Sequence, residues 1–402
     1  MNILSVSWHN LRARPLASFL SLLLLTFGVS IISLLLLLNA QLEGNFNKNV
    51  RGIDMVLGAK GSPLQLILAS VYHIDNPTGN IPLEEVEKAM DNPMVEKWIP
   101  LAYGDNYKGY RILGTDHQYV DHYEASLAEG SLWEKDFEVT PGALVAERLG
   151  LKVGDEFLGA HGVVGELNIH DGHAYKVSGI LNPSGTVIDQ LILTNISSVW
   201  NIHEEHETTE TTGAEAEHEA EHRDITAALV KFRTPMGTMM IPRKINQETS
   251  MQAALPAIEI NRLFSLFAAG IQTIRAIAVA IIIISGISVF ISLYSSLRDR
   301  KYELAIMRTL GASRLQLFGF VVQEGLILSV WGFILGMCVS RGGMIFLSAV
   351  IESDYHYQFD PWHILPEEGY LLGLTLLIGF VAALIPGIQA FNTHISETLA
   401  DG

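Results

Sequence analysis

The segment HEEHETTETTGAEAEHEAEHRD, residues 203–224, carries the densest metal-binding chemistry in the chain: His203, His206, His218 and His222 among eight glutamates. The two pairs are spaced three and four residues apart, which would place each pair on one side of a helix. Neutral imidazoles with carboxylates suit zinc or another divalent ion. The competing reading is a solvated acidic insertion with incidental histidines, because a tract without apolar periodicity cannot offset its ordering entropy. That reading is preferred over a defined, high-affinity site, with weak zinc collection as the expectation for the tract; His161, His170 and His173 lie earlier in the same region. Two ionisable residues, Glu324 and Arg341, interrupt an otherwise apolar stretch, and such residues are functional candidates by default. For Glu324 that candidate role would be substrate or proton handling; for Arg341 a structural role near the outer interface, with its stem snorkelling, is expected. Serine, histidine and aspartate form no nucleophile elbow, and the single Cys338 excludes an internal disulfide or a thiolate metal cluster. No G-x-x-x-x-G-K-[ST] occurs; LGAKGS at 57–62 lacks the spacing. The chain is expected to bind no nucleotide and to be no enzyme in its own right.

The elements that position these residues follow from how charge and apolar content separate. Of 402 residues 49% are hydrophobic, yet 26 Lys+Arg face 43 Asp+Glu for a net charge of −17. A disordered acidic chain would lack the apolar content, and the acidity argues against nucleic acid as a partner. Four stretches are long enough to cross a bilayer: Pro15–Leu42, Ala276–Leu297, roughly Leu315–Val350, and Gly369–Ser396. The first exceeds a signal-peptide core and is expected to be retained as a span. The short segments before it and between the second and third spans are basic, with Arg12 and Arg14 in one and Arg298, Arg300, Lys301, Arg308 and Arg314 in the other. The long segment 40–262 holds 17 Lys+Arg against 33 Asp+Glu, a net charge of −16. Short basic loops stay in the cytoplasm, so the acidic segment is expected to face outward.

The expected organisation is a cytoplasmic amphipathic N-terminus at 1–14, a span at 15–40, and an outer α+β domain with a stalk at 41–262. A second span follows at 263–297, a cytoplasmic loop at 298–314 and a third span at 315–350. An outer loop at 351–368, a fourth span at 369–393 and a cytoplasmic tail at 394–402 complete it. Within the outer domain Leu83–Met90 reads as a helix, while Lys108–Leu113, Lys176–Ile180 and Gln190–Thr194 read as strands. Asp54–Pro82 reads as an amphipathic loop and helix, suited equally to core packing or to lining a substrate groove. Gln247–Arg275 reads as helical, interrupted only at Pro256, and leads into the second span as a stalk.

The cytoplasmic loop RDRKYELAIMRTLGASRLQLFGFVVQEG is the most specific stretch. Leu297, Leu304, Met307 and Leu310 recur at helical spacing, so the second span is expected to continue into the cytoplasm with one apolar face. Gly311 would end that helix, and Ser313 with Gln316 reads as a capping box opening the next. The residues Arg300, Glu303, Leu304, Met307, Arg308, Leu310, Gly311, Ala312 and Ser313, followed by Glu324, Gly332 and Gly336, resemble the permease subunits of the MacB/FtsX-type (type VII) ABC transporter family. Three other segments carry the same resemblance: WHNLRARPLASFLSLLLLTFGVS near the start, VAERLGLKVGDEF with KVSGIL in the outer domain, and AALIPGIQAFNTHISETL near the end.

The resemblance implies a fold of four transmembrane helices plus a periplasmic α+β domain, in the bacterial inner membrane. It also implies a dimer, formed with a second copy or a paralogue, above a separate cytoplasmic ATPase that holds ATP-Mg. Coupling would run through Arg300, Glu303, Leu304, Arg308, Gly311, Ala312 and Ser313, with ATP hydrolysis driving transport or mechanotransmission to periplasmic partners, and Glu324 would make an interhelical contact near the inner leaflet. Membrane lipid and a periplasmic binding or adaptor protein would be further partners; zinc or another divalent metal as cargo rests on the His/Glu tract alone, with the tract as collector or sensor, and importing a metal would be an unusual use of this architecture. The alternative is a membrane-anchored receptor for metal or protein that needs no ATPase. A secondary transporter is disfavoured because its spans would be more polar or broken at the midplane.

Overall fold

A computed structural model describes residues 15–161, 168–202, 223–355 and 359–392. The amphipathic N-terminus expected at 1–14, the histidines His203, His206, His218 and His222, and the tail expected at 394–402 lie outside the described residues. The chain divides into two compact units, Gly44–Ser265 and, from both ends of the sequence, Met1–Glu43 with Leu266–Gly402.

In chain order the helices are α1 (Pro15–Val50), α2 (Pro63–Ser70), α3 (Leu83–Met90), α4 (His117–His122), α5 (Ala143–Leu149), α6 (Pro235–Glu248), α7 (Pro256–Asp299), α8 (Lys301–Thr309), α9 (Arg314–Tyr355) and α10 (Pro366–Phe391). The strands are β1 (Met55–Ala59), β2 (Ile81–Pro82), β3 (Val95–Tyr107), β4 (Tyr110–Thr115), β5 (Leu127–Gly130), β6 (Glu138–Pro141), β7 (Glu156–His161), β8 (Asn168–Val177), β9 (Gly179–Leu181), β10 (Ile192–Asn195), β11 (Asp224–Ile225), β12 (Ala227–Phe232) and β13 (Met251–Ala254). Residues 196–202 are also helical.

The α+β unit is organised by a nine-stranded sheet in the order β13-β1-β12-β3-β4-β10-β6-β8-β7. The sheet is mixed, since β10 runs parallel to β4 and β6 parallel to β8. A single pairing, Asn106 with Ala160, brings the far edge strand β7 back to β3. Strands β3, β4, β10, β6, β8 and β7 therefore close into a ring, and the 13-residue β3 belongs to both ring and open sheet. A register shift between Tyr103 and Asn106 supplies the bend this requires. At the β3–β4 turn Lys108 and Gly109 both have positive φ, 49° and 90°, the signature of a two-residue hairpin whose twist matches its strands. The strand expected from Lys108 consequently begins at Tyr110, and the one expected at 176–180 is divided between β8 and β9 at Ser178.

Two further expectations are corrected. Met251–Ala254 is a strand paired with β1, not part of a helix running from Gln247. Four apolar residues cannot reveal their period, and the competing helix ends at Glu248 with Thr249 in an extended conformation. Asn246 on α6 seals this outer strand, accepting from the Ala253 N–H at 2.7 Å and donating to its carbonyl at 3.0 Å. Asp54–Pro82 contributes β1, buried at Met55, Val56 and Leu57, and α2, buried at Leu66 and Ile67, so this segment is core. The expected helix at Leu83–Met90 is α3, with Val86 and Met90 turned inward and Glu84 and Lys88 paired on the outside at 2.7 Å.

Among the described residues the second unit consists of the bilayer-length portions of α1, α7, α9 and α10, four helices long and apolar enough to cross a membrane, together with α8. Close packing between them depends on residues without side chains. A Cβ at Gly336 on α9 would lie 2.7 Å from Val29 Cβ of α1, and one at Gly325 would lie 2.8 Å from the Gly379 carbonyl of α10.

Candidate functional site

The elbow between α7 and α9 is built by three local signals. Arg300 leaves helical geometry with φ −111° and ψ 12°, so α7 stops at Asp299 and α8 starts afresh at Lys301. The apolar spacing predicts one continuous helix here; it registers which residues share a face and is blind to a one-residue break. Gly311, at φ 103°, then makes the turn that a side chain would strain. Ser313 opens α9 with the expected reciprocal cap: its N–H donates to Gln316 Oε1 at 2.7 Å, and the Gln316 N–H donates to Ser313 Oγ at 3.2 Å.

Leu304 is buried and Met307 partly buried against a cluster of Leu297, Leu317, Val321 and Ala390. That contact seats α8 on α7, α9 and α10. Leu310 does not share it and is 83% exposed, because the helix has ended before it completes the stripe. Tyr302, Ile306 and Leu310, each four residues apart, are all exposed, as is Leu315 just beyond the turn. Arg300 Nε lies 3.8 Å from Glu303 Oε2, and the same guanidinium acts electrostatically on Glu324 of α9. The break thus carries a cation beside Glu303 of α8 whose charge also reaches Glu324 of α9. Arg308 is half-buried, and its Nε has no partner among the described residues. Ala312 lies in the turn between Gly311 and Ser313.

Of the two intramembrane candidates, Glu324 is only 5% exposed. Arg341 does not snorkel. Its Nη2 donates to both carboxylate oxygens of Glu368 on α10, at 2.7 and 2.9 Å, and to the His363 carbonyl at 3.1 Å. Ser33 of α1 donates to Glu368 Oε1 at 3.2 Å, and Ser340 donates to Ser33 Oγ at 3.0 Å. Three helices therefore share one buried polar network. A bilayer offers such an arginine little else, and pairing is the solution available to a charge held inside a bundle. Sequence reasoning missed Glu368 by treating it as the charge that bounds the fourth span; an unpaired arginine in the third span was the signal to seek its acid at the start of the next.

In the α+β unit the ends of α1 and α7 are gripped by the core. Asn49 Oδ1 accepts from the Val187 N–H at 2.9 Å, and the Asn49 and Phe46 carbonyls accept from the hydroxyls of Tyr123 and Tyr72. The Phe46 ring stands 4.6 Å from Tyr72 and 5.5 Å from Phe264 of α7, centroid to centroid. Next to Tyr72, half-buried His73 contacts Tyr103 through Nδ1 at 2.7 Å and Tyr119 through Nε2 at 3.0 Å. Tyr103 donates its own proton to the Ala69 carbonyl, so it accepts from Nδ1–H, and Tyr119 donates to Nε2. Burial, with the Arg111 cation nearby, pushes the His73 pKa down to about 3, so the ring is neutral. Among the described residues no group of three or more His, Cys, Asp or Glu side chains converges as a metal site.

Two family profiles match the chain in sequence. That of the MacB-like periplasmic core domain matches residues 18–235, and that of the FtsX-like permease C-terminal region matches residues 275–395. An uncharacterised ABC transporter permease protein of Mycobacterium tuberculosis is 22% identical over 418 residues. The alignment covers 98% of this chain and 44% of that relative, so the chain spans less than half the relative's length. Among solved structures, the periplasmic region of MacB from Actinobacillus actinomycetemcomitans matches at 12% identity and TM-score 0.35, covering 55% of this chain and 97% of that one. The extracellular domain of the noncanonic ABC-type transporter YknZ from Gram-positive bacteria matches at 13% identity and TM-score 0.30, covering 50% and 98%. A core-domain profile covering more than half of the chain, followed in order by the FtsX-like region that contains the elbow, makes this chain a member of the MacB/FtsX-type ABC transporter permease family.

Proposed function

We propose that this permease receives a cytoplasmic ATPase subunit on its α7–α9 elbow and passes the motion to its outer domain along α1 and α7. The observation that carries the reading is the division of α8 into two faces. Leu304 and Met307 fasten it to the bundle, while Tyr302, Ile306 and Leu310 form an exposed apolar row with Glu303 beside them. A row of this kind on a cytoplasmic turn has the character of a partner surface. ATP-Mg belongs to the partner in this reading, and the permease acts as a dimer in the bacterial inner membrane. The α1 and α7 ends, gripped through Phe46, Asn49 and Phe264, are where movement of the spans would enter the outer domain. Transport and the direct remodelling of a periplasmic adaptor are both served by that path.

Zinc or another divalent metal remains a secondary proposal, resting on the sequence of the tract around His203, His206, His218 and His222. Equal zinc uptake by the full chain with and without residues 203–224, measured by isothermal titration, would remove it. For the principal reading, the test is co-purification in mild detergent of the ATPase with wild type and with Ile306→Asp/Leu310→Asp. Loss of the ATPase from the double variant is expected, with the permease itself still folded. Undiminished recovery would move the docking surface elsewhere.

A further inference from the structure

The segment joining α9 to α10 is held at several points yet presents an indole and a branched aliphatic side chain outward. Gln41 of α1 donates to the Asp360 carbonyl at 2.7 Å and accepts from the Asp360 N–H at 2.8 Å, a two-point clamp. Asp360 Oδ1 accepts from the Trp362 N–H at 2.9 Å, and the His363 carbonyl accepts from Arg341. The Phe359 N–H donates to Ser348 Oγ at 3.2 Å, so the segment folds back along α9. Phe359 and Leu365 turn inward onto Leu37 and Met344. Trp362 and Ile364, between those anchors, are 72% and 80% exposed. A well-fixed turn that leaves an indole and a branched aliphatic uncovered is shaped to meet something apolar.

We infer that Asp360–Leu365 is a lipid-contact finger, with Trp362 and Ile364 lodged in the headgroup–acyl boundary of the outer leaflet. The inference rests on the reading of α9 and α10 as membrane spans. Continuity of surface identifies the occupant: Phe346 on α9 and Tyr370 on α10, the helices the segment joins, are likewise exposed and extend the apolar surface of the spans. Tryptophan suits that depth because its ring is apolar and its N–H remains wet. The local charge selects the lipid class. Asp360 and Glu367 are both exposed beside the finger, so a zwitterionic headgroup fits and an anionic one is repelled. A cationic choline or ethanolamine group can also rest against the indole face. The finger would hold the outer ends of α9 and α10 at a fixed depth while α1 and α7 move.

Fluorescence quenching in nanodiscs of phosphatidylcholine tests this with the full chain. The difference between wild type and Trp362→Phe isolates Trp362, and the lipids carry a nitroxide either near the headgroup or near the acyl terminus. Quenching of the Trp362 component should be at least about twofold stronger with the shallow label than with the deep one, and weak with aqueous iodide. Replacing part of the phosphatidylcholine by an anionic lipid should not strengthen it. Iodide quenching without lipid quenching would place the finger in water, and quenching by neither reagent would mean that protein covers it; either result overturns the inference. The difference between wild type and Trp331→Phe, read in the same discs, reports a residue well inside α9. Failure of the deep label to reach Trp331 would refute the membrane reading itself.

Discussion

Replacing Arg341 by methionine should unfold the membrane unit far more readily than replacing Arg341 and Glu368 together. The guanidinium and carboxylate, 11% and 5% exposed, meet through contacts of 2.7 and 2.9 Å. At an effective dielectric constant of about 20, unit charges that close attract by roughly 6 kcal/mol. Withdrawing them from water costs several kcal/mol per ion, so the intact pair adds little net stability. Removing one partner is different in kind, because the other charge stays buried without compensation, at a cost of about 3–5 kcal/mol. Arg341→Met should therefore lose about 3–5 kcal/mol, while Arg341→Met/Glu368→Leu should return to within about 2 kcal/mol of wild type, the remainder being the lost serine and His363 hydrogen bonds. Unfolding by sodium dodecyl sulfate in mixed micelles, followed by intrinsic fluorescence, gives the four corners of the cycle. A double variant as unstable as the sum of the two singles would refute the argument, since it would mean that neither charge depends on the other.

Acid should destabilise the outer domain through His73. Its folded pKa, about 3, lies below the unfolded value of 6.5, so below pH 6.5 the unfolded chain binds more protons. Stability is full above that pH and falls as pH drops toward 3, by about 2 kcal/mol at pH 5. His122, pushed down to about 4 by burial and the Lys97 and Lys231 cations, contributes with the same sign. Thermal unfolding of the full chain between pH 7 and 5 should show the decline, and His73→Gln should flatten it; an unchanged slope would discharge His73 from the role. Gly336→Ala should cost about 1–3 kcal/mol by forcing α9 away from Val29 and the Thr26 carbonyl of α1, read as a lower midpoint in the same micelles. Gly311→Ala should cost about 1–2 kcal/mol because φ 103° strains any side chain, and hydrogen exchange around the elbow should quicken there first.

Much of this architecture is legible in the residues, for reasons that differ by element. Bilayer spans announce themselves because each charge at the midplane is costly, and the α9 cap is written in two residues, Ser313 and Gln316, whose bonds are local. The α3 helix carries its period in Val86 and Met90. What escaped depends on partners distant in sequence. The β13 strand exists because β1 lies beside it, and its four residues carry no period of their own. The ring closure rests on one described strand pairing, Asn106 with Ala160, between β3 and β7. Glu368 matters through Arg341, 27 residues away on another helix. The break at Arg300 escaped because the same apolar spacing fits one continuous helix or two helices parted by a single residue.

The most direct test of the central claim is a photo-crosslinking amino acid placed singly at Leu310 and, as the inward control, at Leu304, in cells expressing the full chain. The account predicts that Leu310 captures a cytoplasmic ATPase with a phosphate-binding loop, identified by mass spectrometry, and that Leu304 captures only the permease's own helices. An elbow that crosslinks to no such ATPase from Leu310, Ile306 or Tyr302, in membranes where the folded permease is abundant, would contradict it.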